Sequence, residues 1–230
     1  MNQLSSKIPH AARRSAFTII ELLTVVTCIT ILMSISIPIA RSLQNKAHRV
    51  RTKAQFSQWS TAMELFRAEY GGYPRVDGSY GSGKGISREN VINGEKFAVA
   101  LTGNKLSGSS NELRSPTIQP IKLVGNTKLL SFYSIGQKDL DENGFLVDSY
   151  LNQEIGILYD VTMNGTIDSN DRNKTPDVDG VNGGKYSLSS DTEVMNNLTK
   201  GIRAGVVFYS AGAGNSGDGA VESDVAVRSW

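Results

Sequence analysis

The chain has 230 residues, of which 39% are hydrophobic and 20% are charged, a composition typical of a folded protein rather than a disordered one. Its formal net charge of +2 depends on a leader, residues 1–16, that holds Lys7, Arg13 and Arg14 and no acid, so the remaining chain carries −1. This net balance gives no support to a role in nucleic-acid binding. The single cysteine, Cys28, excludes an intramolecular disulfide.

After the leader, an apolar run extends from Phe17 to Ala40 with Glu21 as its only charge. A helix of that length spans about 36 Å, enough to cross a bilayer. The positive-inside rule predicts that the basic leader stays in the cytoplasm and that the carboxyl-terminal part is exported. A carboxylate inside an apolar run costs roughly 2.5–3.5 kcal/mol to insert, so Glu21 indicates a dedicated partner.

The run is too long for an ordinary secretory signal peptide, and no convincing cleavage site of the A-x-A kind follows it. The plausible cut instead precedes the run, after Ala16. A signal anchor without processing would need no cut, but it would leave Glu21 unexplained.

The arrangement of a basic leader, Ala16, Phe17-Thr18-x-x-Glu21 and a long apolar helix resembles the type IV pilin and type II secretion pseudopilin superfamily. Pro38 also falls where members of this family commonly carry a proline. The family usually has glycine before the cut, so Ala16 is a departure. Residues 63–74 are similar to the helix exit of major pseudopilins.

This resemblance implies that a prepilin peptidase cuts after Ala16 and methylates the amine of Phe17. In a filament, the Glu21 carboxylate would pair with the Phe17 ammonium of a neighbouring subunit and set the register between helices. The implied partners are copies of this chain, other pseudopilins and an inner-membrane secretion platform. The chain would be a single-pass inner-membrane protein with its carboxyl-terminal domain in the periplasm.

Beyond Pro38, where a kink is expected, the helix becomes amphipathic over residues 41–74. Large apolar residues recur at helical spacing and predict packing against the chain's own globular domain; they are Phe56, Trp59, Ala62, Met63 and Phe66. Gly71-Gly72-Tyr73-Pro74 ends the helix. The expected segments are therefore a leader, 1–16, an assembly helix, 17–40, an amphipathic helix with its exit, 41–74, and an exported domain, 75–230.

The exported domain is expected to be a small antiparallel sheet packed on the helix, so the fold class is α+β and pilin-like. Apolar runs suited to strands occur at Leu129–Ile135, Glu154–Val161, Ala204–Ser210 and Val225–Arg228. A short helix is predicted around Glu95–Leu101 within a Gly-, Ser- and Asn-rich stretch. Residues 168–200 are a long polar stretch that is compatible with a surface excursion, and no conformation is predicted for it.

No enzyme signature is found, and the chain is expected not to be an enzyme. Gly78–Gly85 approximates a phosphate-binding loop, but Gly85 replaces the Ser or Thr that would hold magnesium, and a surface loop is the better interpretation. His10 and His48 are expected to lie away from the exported loops. No Ser-His-Asp, Cys-His or zinc arrangement occurs.

Calcium is the cofactor to test, because closely spaced acids and amides on glycine turns supply the oxygen ligands it prefers. Asp160, Asn164, Asp168 and Asp171, with Thr162 as a weak third ligand, have the spacing of a dockerin or EF-hand loop. Asp139–Gly144 begins in the same way. The alternative for both loops is an Asn-Gly hairpin turn.

The carboxyl terminus holds another calcium candidate. The stretch from Tyr209 to Gly219, followed by acids and Trp230, resembles the terminal loop of major pseudopilins, although Gly214 stands where an aspartate is expected. The implied ligands are Ser210, Asp218, Glu222 and Asp224. An ion there would close a loop that no disulfide closes; the alternative is a glycine-rich surface turn.

The sequence therefore favours a pseudopilin of a type II secretion system, most like its major subunit. One alternative is a type IV pilin of surface fibres. Another, of a different class, is a membrane-anchored calcium-binding ectodomain that never polymerises.

Overall fold

The structure is a computed structural model that describes residues 18–76, 90–103, 125–171, 173, 175–181, 183–214 and 227–230, with backbone alone at 35–42, 95 and 227. The chain divides into two compact units, Met1–Gln44 and Asn45–Trp230.

The first helix, α1, covers Ile19–Tyr70 and remains helical through Pro38. It ends as the sequence predicts: Gly71 adopts φ +78°, and its N–H donates to the carbonyl of Arg67 at 2.8 Å. A glycine in the left-handed conformation is a common way to terminate a helix. In the part of the chain that the structure describes, no helix is both long and apolar enough to cross a membrane.

In the second unit, the apolar stripe of α1 forms one wall of the core. Phe56, Trp59 and Met63 are fully buried, and Ala62 and Phe66 are nearly so. The Trp59 ring packs against Phe97 and Phe208 at centroid distances of 4.8 and 5.6 Å. The predicted packing of this stripe on the chain's own globular domain is confirmed.

Opposite this stripe lies a three-stranded antiparallel sheet of order β1-β4-β5. Its strands are β1 at Gly156–Tyr159, β4 at Val206–Ser210 and β5 at Val227–Arg228. Gly156 pairs with Tyr209, and Tyr209 pairs with Arg228. Three of the four predicted strand regions are thus confirmed, and the small sheet packs on the helix in an α+β architecture.

The predicted short helix is confirmed as α2, Gly94–Thr102, capped by the Asn93 side chain. The predicted strand at Leu129–Ile135 is wrong. Leu129 adopts φ +54°, which interrupts extended backbone, and the N–H groups of Phe132 and Tyr133 both donate to the carbonyl of Leu101. This segment closes the carboxyl end of α2 instead of joining a sheet.

Residues 168–200 are not a surface loop. They contain a two-stranded hairpin of β2, Val178–Asp179, and β3, Lys185–Tyr186, followed by the helix α3, Thr192–Lys200. This layer contributes four buried apolar side chains to a second core, at Val178, Tyr186, Leu188 and Val194.

The two cores lie on opposite faces of the sheet. Ile157 and Phe208 belong to the core that contains the α1 stripe, whereas Leu158 and Val207 belong to the second core. Since successive side chains of a strand point to opposite faces, β1 and β4 form a middle layer buried on both sides.

Within this layer, Gly156 of β1 leaves room for the ring of its cross-strand partner Tyr209 on β4, since a Cβ at Gly156 would lie 2.0 Å from Cζ of that ring. We expect Gly156→Ala to lower the free energy of unfolding by about 1–3 kcal/mol through overpacking, measured by chemical denaturation. The matched control is Gly72→Ala, whose Cβ would meet only the flexible Met163 side chain at 3.5 Å. Equal stability of the two variants would contradict this account of the sheet.

Candidate functional site

The amino-terminal site predicted from sequence consists of Ala16, Phe17 and Glu21. Ala16 and Phe17 lie outside the described residues. Glu21 is exposed and occupies the third position of α1. Its Oε2 accepts hydrogen bonds from both the backbone N–H and the hydroxyl of Thr18, each at 2.9 Å.

The Glu21 N–H in turn donates to the Thr18 hydroxyl at 3.3 Å. Reciprocal bonds of this kind form a capping box, which satisfies backbone donors that a helix start leaves unpaired. Glu21 therefore has a local structural role in addition to any role in assembly. Sequence reasoning missed it, although Thr-x-x-Glu before an apolar run is its signature.

The first turns of α1 present large apolar side chains to the outside. Ile19 is 88% exposed and Leu32 is 66% exposed, and eight others are also exposed: Ile20, Leu22, Leu23, Val25, Val26, Ile29, Ile31 and Met33. Soluble monomers rarely present a continuous apolar surface of this extent, and such surfaces mark contacts with protein or membrane.

The proposed calcium loop at residues 160–171 is tightly organised by its own acids. Asp160 is fully buried and accepts from the N–H groups of Asn164 and Gly165 at 3.1 and 2.7 Å. The Thr162 hydroxyl lies 3.3 Å from Asp160 Oδ1 and 3.1 Å from Asp171 Oδ1. The two acids therefore flank one hydroxyl.

The other two candidates in this loop bond to nearby groups. Asn164 Oδ1 accepts from the Thr166 N–H and hydroxyl, and Asp168 Oδ1 accepts from the Asn170 N–H at 2.7 Å. Across the described ranges, no group of three or more His, Cys, Asp or Glu side chains is arranged to hold a metal ion. Each carboxylate has acceptor capacity beyond these bonds.

The loop at Asp139–Gly144 is closed by protein donors. The fully buried Asp139 accepts from Gln55, Tyr133 and the Gly136 N–H at 3.0, 2.9 and 2.9 Å. Asp141 Oδ1 accepts from the Asn143 and Phe145 N–H groups. These contacts satisfy both acids with donors from the protein.

Of the terminal calcium candidates, Asp218, Glu222 and Asp224 lie outside the described residues. Ser210 is fully buried, and its hydroxyl donates to Asp148 Oδ2 at 2.7 Å. Asp148 is a residue that sequence reasoning missed. It is fully buried and also accepts from Tyr150 and Asn152.

Burial raises the pKa of the Asp148 carboxyl above its usual value, although hydrogen bonds from Ser210, Asn152 and Tyr150 oppose the shift. The Asn152 amide also donates to the carbonyl of Gly212 at 2.8 Å. Asp148 thereby ties the segment after Val147 to the end of β4. No motif surrounds this residue, so only the tertiary contacts reveal its position.

His48 does not lie away from the exported loops, so that expectation is wrong. Its ring stands 5.3 Å from the ring of Tyr150, whose hydroxyl donates to the carbonyl of Asn45 at 2.7 Å. The contact arises because the loop after Asp148 folds back onto the start of the globular part of α1.

Comparison of this chain with known protein families, with curated proteins and with solved structures finds no match.

Asp148 makes the unfolding equilibrium depend on pH. Because its folded pKa lies above its ordinary value of 3.8, its contribution to stability is complete below that value and is lost as the pH rises through the folded pKa. We define the difference as the free energy of unfolding of wild type minus that of Asp148→Asn. We expect this difference to fall as the pH rises above about 4, because ionisation of Asp148 destabilises the wild type alone. Chemical denaturation at a series of pH values measures this.

The matched control for that series is Glu142→Gln, which changes an exposed acid six residues away. Its difference from wild type should not reproduce the fall seen with Asp148→Asn. A wild-type minus Asp148→Asn difference that stays constant with pH would contradict the raised pKa.

Proposed function

We propose that this chain is a pseudopilin of a type II secretion system, most like its major subunit. A prepilin peptidase removes residues 1–16, and the mature subunits assemble into a periplasmic pseudopilus that drives protein export. The observation that carries this proposal is one acid, Glu21, in an otherwise apolar segment directly after a basic leader ending in Ala16.

The two units of the chain support separate roles, with the first in assembly and the second as the exported domain. The apolar side chains of Ile19–Met33 are exposed and are suited to a membrane and then to the helices of other subunits. The later part of α1 buries its aromatic stripe against a small antiparallel sheet. A pilin-like fold combines these two features in one long helix, and we propose that fold here.

In this proposal the protein does mechanical work and is not an enzyme. Subunits reside in the inner membrane with the carboxyl-terminal domain in the periplasm, and a secretion platform adds them to the fibre base. Other pseudopilins extend the same fibre. Once a subunit leaves the bilayer, packing against the helices of its neighbours keeps its apolar helix surface out of water, where exposure would cost roughly 25 cal/mol per Å² of apolar area.

Glu21 then serves two interactions. Its Oε2 caps α1 through Thr18, and its second oxygen offers acceptor capacity for the methylated Phe17 ammonium of a neighbouring subunit. A pair of opposite charges in an apolar setting attracts strongly, and one left unpaired is costly. The pair would therefore define one register between otherwise featureless apolar helices.

Variants at positions 18 and 21 separate capping from charge. Glutamine also completes a capping box, so Glu21→Gln keeps the cap and removes the charge, whereas Thr18→Ala weakens the cap and keeps the charge. In a strain lacking this gene, we expect wild type and Thr18→Ala to restore exoprotein in the medium. Glu21→Gln and Glu21→Ala should both fail, as measured by activity of the secreted proteins.

Sheared surface fibres are measured in the same strains. Loss of secretion with surface fibres intact supports the pseudopilin, whereas loss of fibres with secretion intact would make the chain a type IV pilin. Full function of Glu21→Gln would mean that the acid matters only for capping and would remove the assembly argument. Full secretion and fibres in the deletion strain would favour the solitary ectodomain.

We also propose calcium as the ion of this domain, with Asp160, Asn164, Asp168 and Asp171 as one ligand set and Ser210, Asp218, Glu222 and Asp224 as the other. The order of the 160–171 loop supports the first set, and the lack of any disulfide favours an ion as a closing element. Calcium binding is equally compatible with the two alternative functions, a type IV pilin and a calcium-binding ectodomain that never polymerises.

Calcium bound only by the folded state raises the unfolding temperature, by mass action. We expect about 1 mM calcium to raise it by several degrees when present at about 100 times its Kd. Asp160→Asn or Asp224→Asn should reduce the rise, according to which loop binds. Asp179→Asn, an exposed acid on the hairpin, is the matched control. No change between calcium and chelator in wild type would exclude the calcium proposal.

A further inference from the structure

A polar cleft of about 250 Å³ opens within the unit Asn45–Trp230, between α1, α3 and the last strand. Its walls carry three cations, one acid, one amide and an aromatic ring: Arg49, Lys53, Arg228, Glu193, Asn197 and Trp230. Neither the calcium proposal nor the assembly argument uses these residues.

One wall of the cleft is held rigidly. The Arg228 guanidinium lies 3.2 Å from Asp191 and 3.6 Å from Glu193, and its side chain is only 14% exposed. The same guanidinium stands 5.9 Å from the centre of the Trp230 ring. Asp191 is in turn fixed as the cap of α3, where its side chain accepts from the N–H groups of Glu193 and Val194.

The other wall is part of a basic stretch of α1. Between Leu22 and Met63 the chain has no acid, and it carries five cations, at Arg41, Lys46, Arg49, Arg51 and Lys53. Arg49 and Lys53 are four residues apart, so both face the cleft from one side of the helix. A bound anion at this point of the helix would be attracted by both cations.

The position of these cations identifies the anion. Only eight residues separate Arg49 from Ala40, the end of the apolar run, so even a fully extended chain keeps the two within roughly 30 Å. If the run lies in a bilayer, phospholipid headgroups are the most concentrated anions within that reach. In the proposed orientation these cations follow the apolar run on the exported side of the membrane. The positive-inside rule favours cations on the cytoplasmic side, so topology does not explain them and binding of an anion does.

We propose that this cleft binds the phosphate-bearing headgroup of an anionic phospholipid, an inference that rests on the membrane location in the proposed function. The phosphate oxygens accept from Arg49 and Lys53, and Asn197 and Glu193 bond to headgroup hydroxyls. The Trp230 ring borders the headgroup, since tryptophan favours the membrane–water interface. The contact holds the globular domain close to the membrane before assembly.

Tryptophan fluorescence tests this in the full chain in an uncharged detergent. The chain has two tryptophans; Trp59 is fully buried in the core, so a response to added ligand reports Trp230. The probes are short-chain phosphatidylglycerol, short-chain phosphatidylcholine and inorganic phosphate. We expect a saturable change with phosphatidylglycerol only, weakened when NaCl is raised from about 50 to about 500 mM.

Arg49→Gln with Lys53→Gln should weaken the apparent affinity for phosphatidylglycerol by about tenfold or more, because both charge-assisted hydrogen bonds to the phosphate are lost. The matched control is Lys138→Gln with Lys185→Gln, which removes the same charge from exposed positions that do not line the cleft. Trp230→Phe should abolish the signal in otherwise intact protein.

Several outcomes would overturn the inference. An equal response to inorganic phosphate would make free phosphate the ligand, and an equal response to phosphatidylcholine would remove headgroup selectivity. An affinity for phosphatidylglycerol that survives in the double variant would place the site elsewhere. Self-association that requires Arg49 and Lys53, without any response to phosphatidylglycerol, would assign the cleft to acids of a second copy.

The failure of this inference is distinguishable from that of the proposed function. If secretion requires the chain and Glu21 but phosphatidylglycerol does not bind, only the headgroup site fails. If secretion and fibres are both independent of the chain while phosphatidylglycerol binds through Arg49 and Lys53, the pseudopilin proposal fails and the headgroup site stands as a property of a membrane-anchored domain.

Discussion

The packing of the α1 aromatic stripe against the sheet is the interaction on which the globular unit depends. Trp59 is fully enclosed and meets both Phe97 of α2 and Phe208 of β4, so one side chain joins three elements. Aromatic pairs at such distances stabilise a core beyond the area they bury. Because the stripe belongs to the same helix that begins at Ile19, the fold of the domain and the exposed apolar segment share one continuous element.

The sheet can support that helix because it is covered on its other face as well. A strand with both faces buried needs apolar side chains at every position, and Ile157-Leu158-Tyr159 and Val206-Val207-Phe208 meet this condition. The second cover comes from the hairpin and α3. This layer also brings Asp191 and Glu193 to Arg228 of β5 next to α1, so the cleft follows from the need to bury the outer face of a very small sheet.

Buried carboxylates hold the loops of the domain in place by accepting several hydrogen bonds each. Asp139, Asp148 and Asp160 are all fully buried, and each accepts several N–H or O–H bonds from neighbouring segments. A buried carboxylate is tolerable only when it is well hydrogen-bonded. These acids therefore cross-link the loops in a chain whose single cysteine forms no intramolecular disulfide.

The sequence by itself determined the features that rest on local periodicity: the end of α1 at Gly71, the apolar stripe from Phe56 to Phe66, α2 and the positions of β1, β4 and β5. Local patterns fail where contacts decide the backbone, as at Leu129–Ile135, where a left-handed Leu129 and the carbonyl of Leu101 prevent a strand. The layer at 168–200 was missed because its apolar residues are spaced too widely to show a period, and they are buried only against the far face of the sheet. The contacts of Asp148 and the cleft at Arg49 each bring together residues more than sixty positions apart in the chain. Sequence patterns carry no information over such a separation, and only tertiary packing places these side chains side by side.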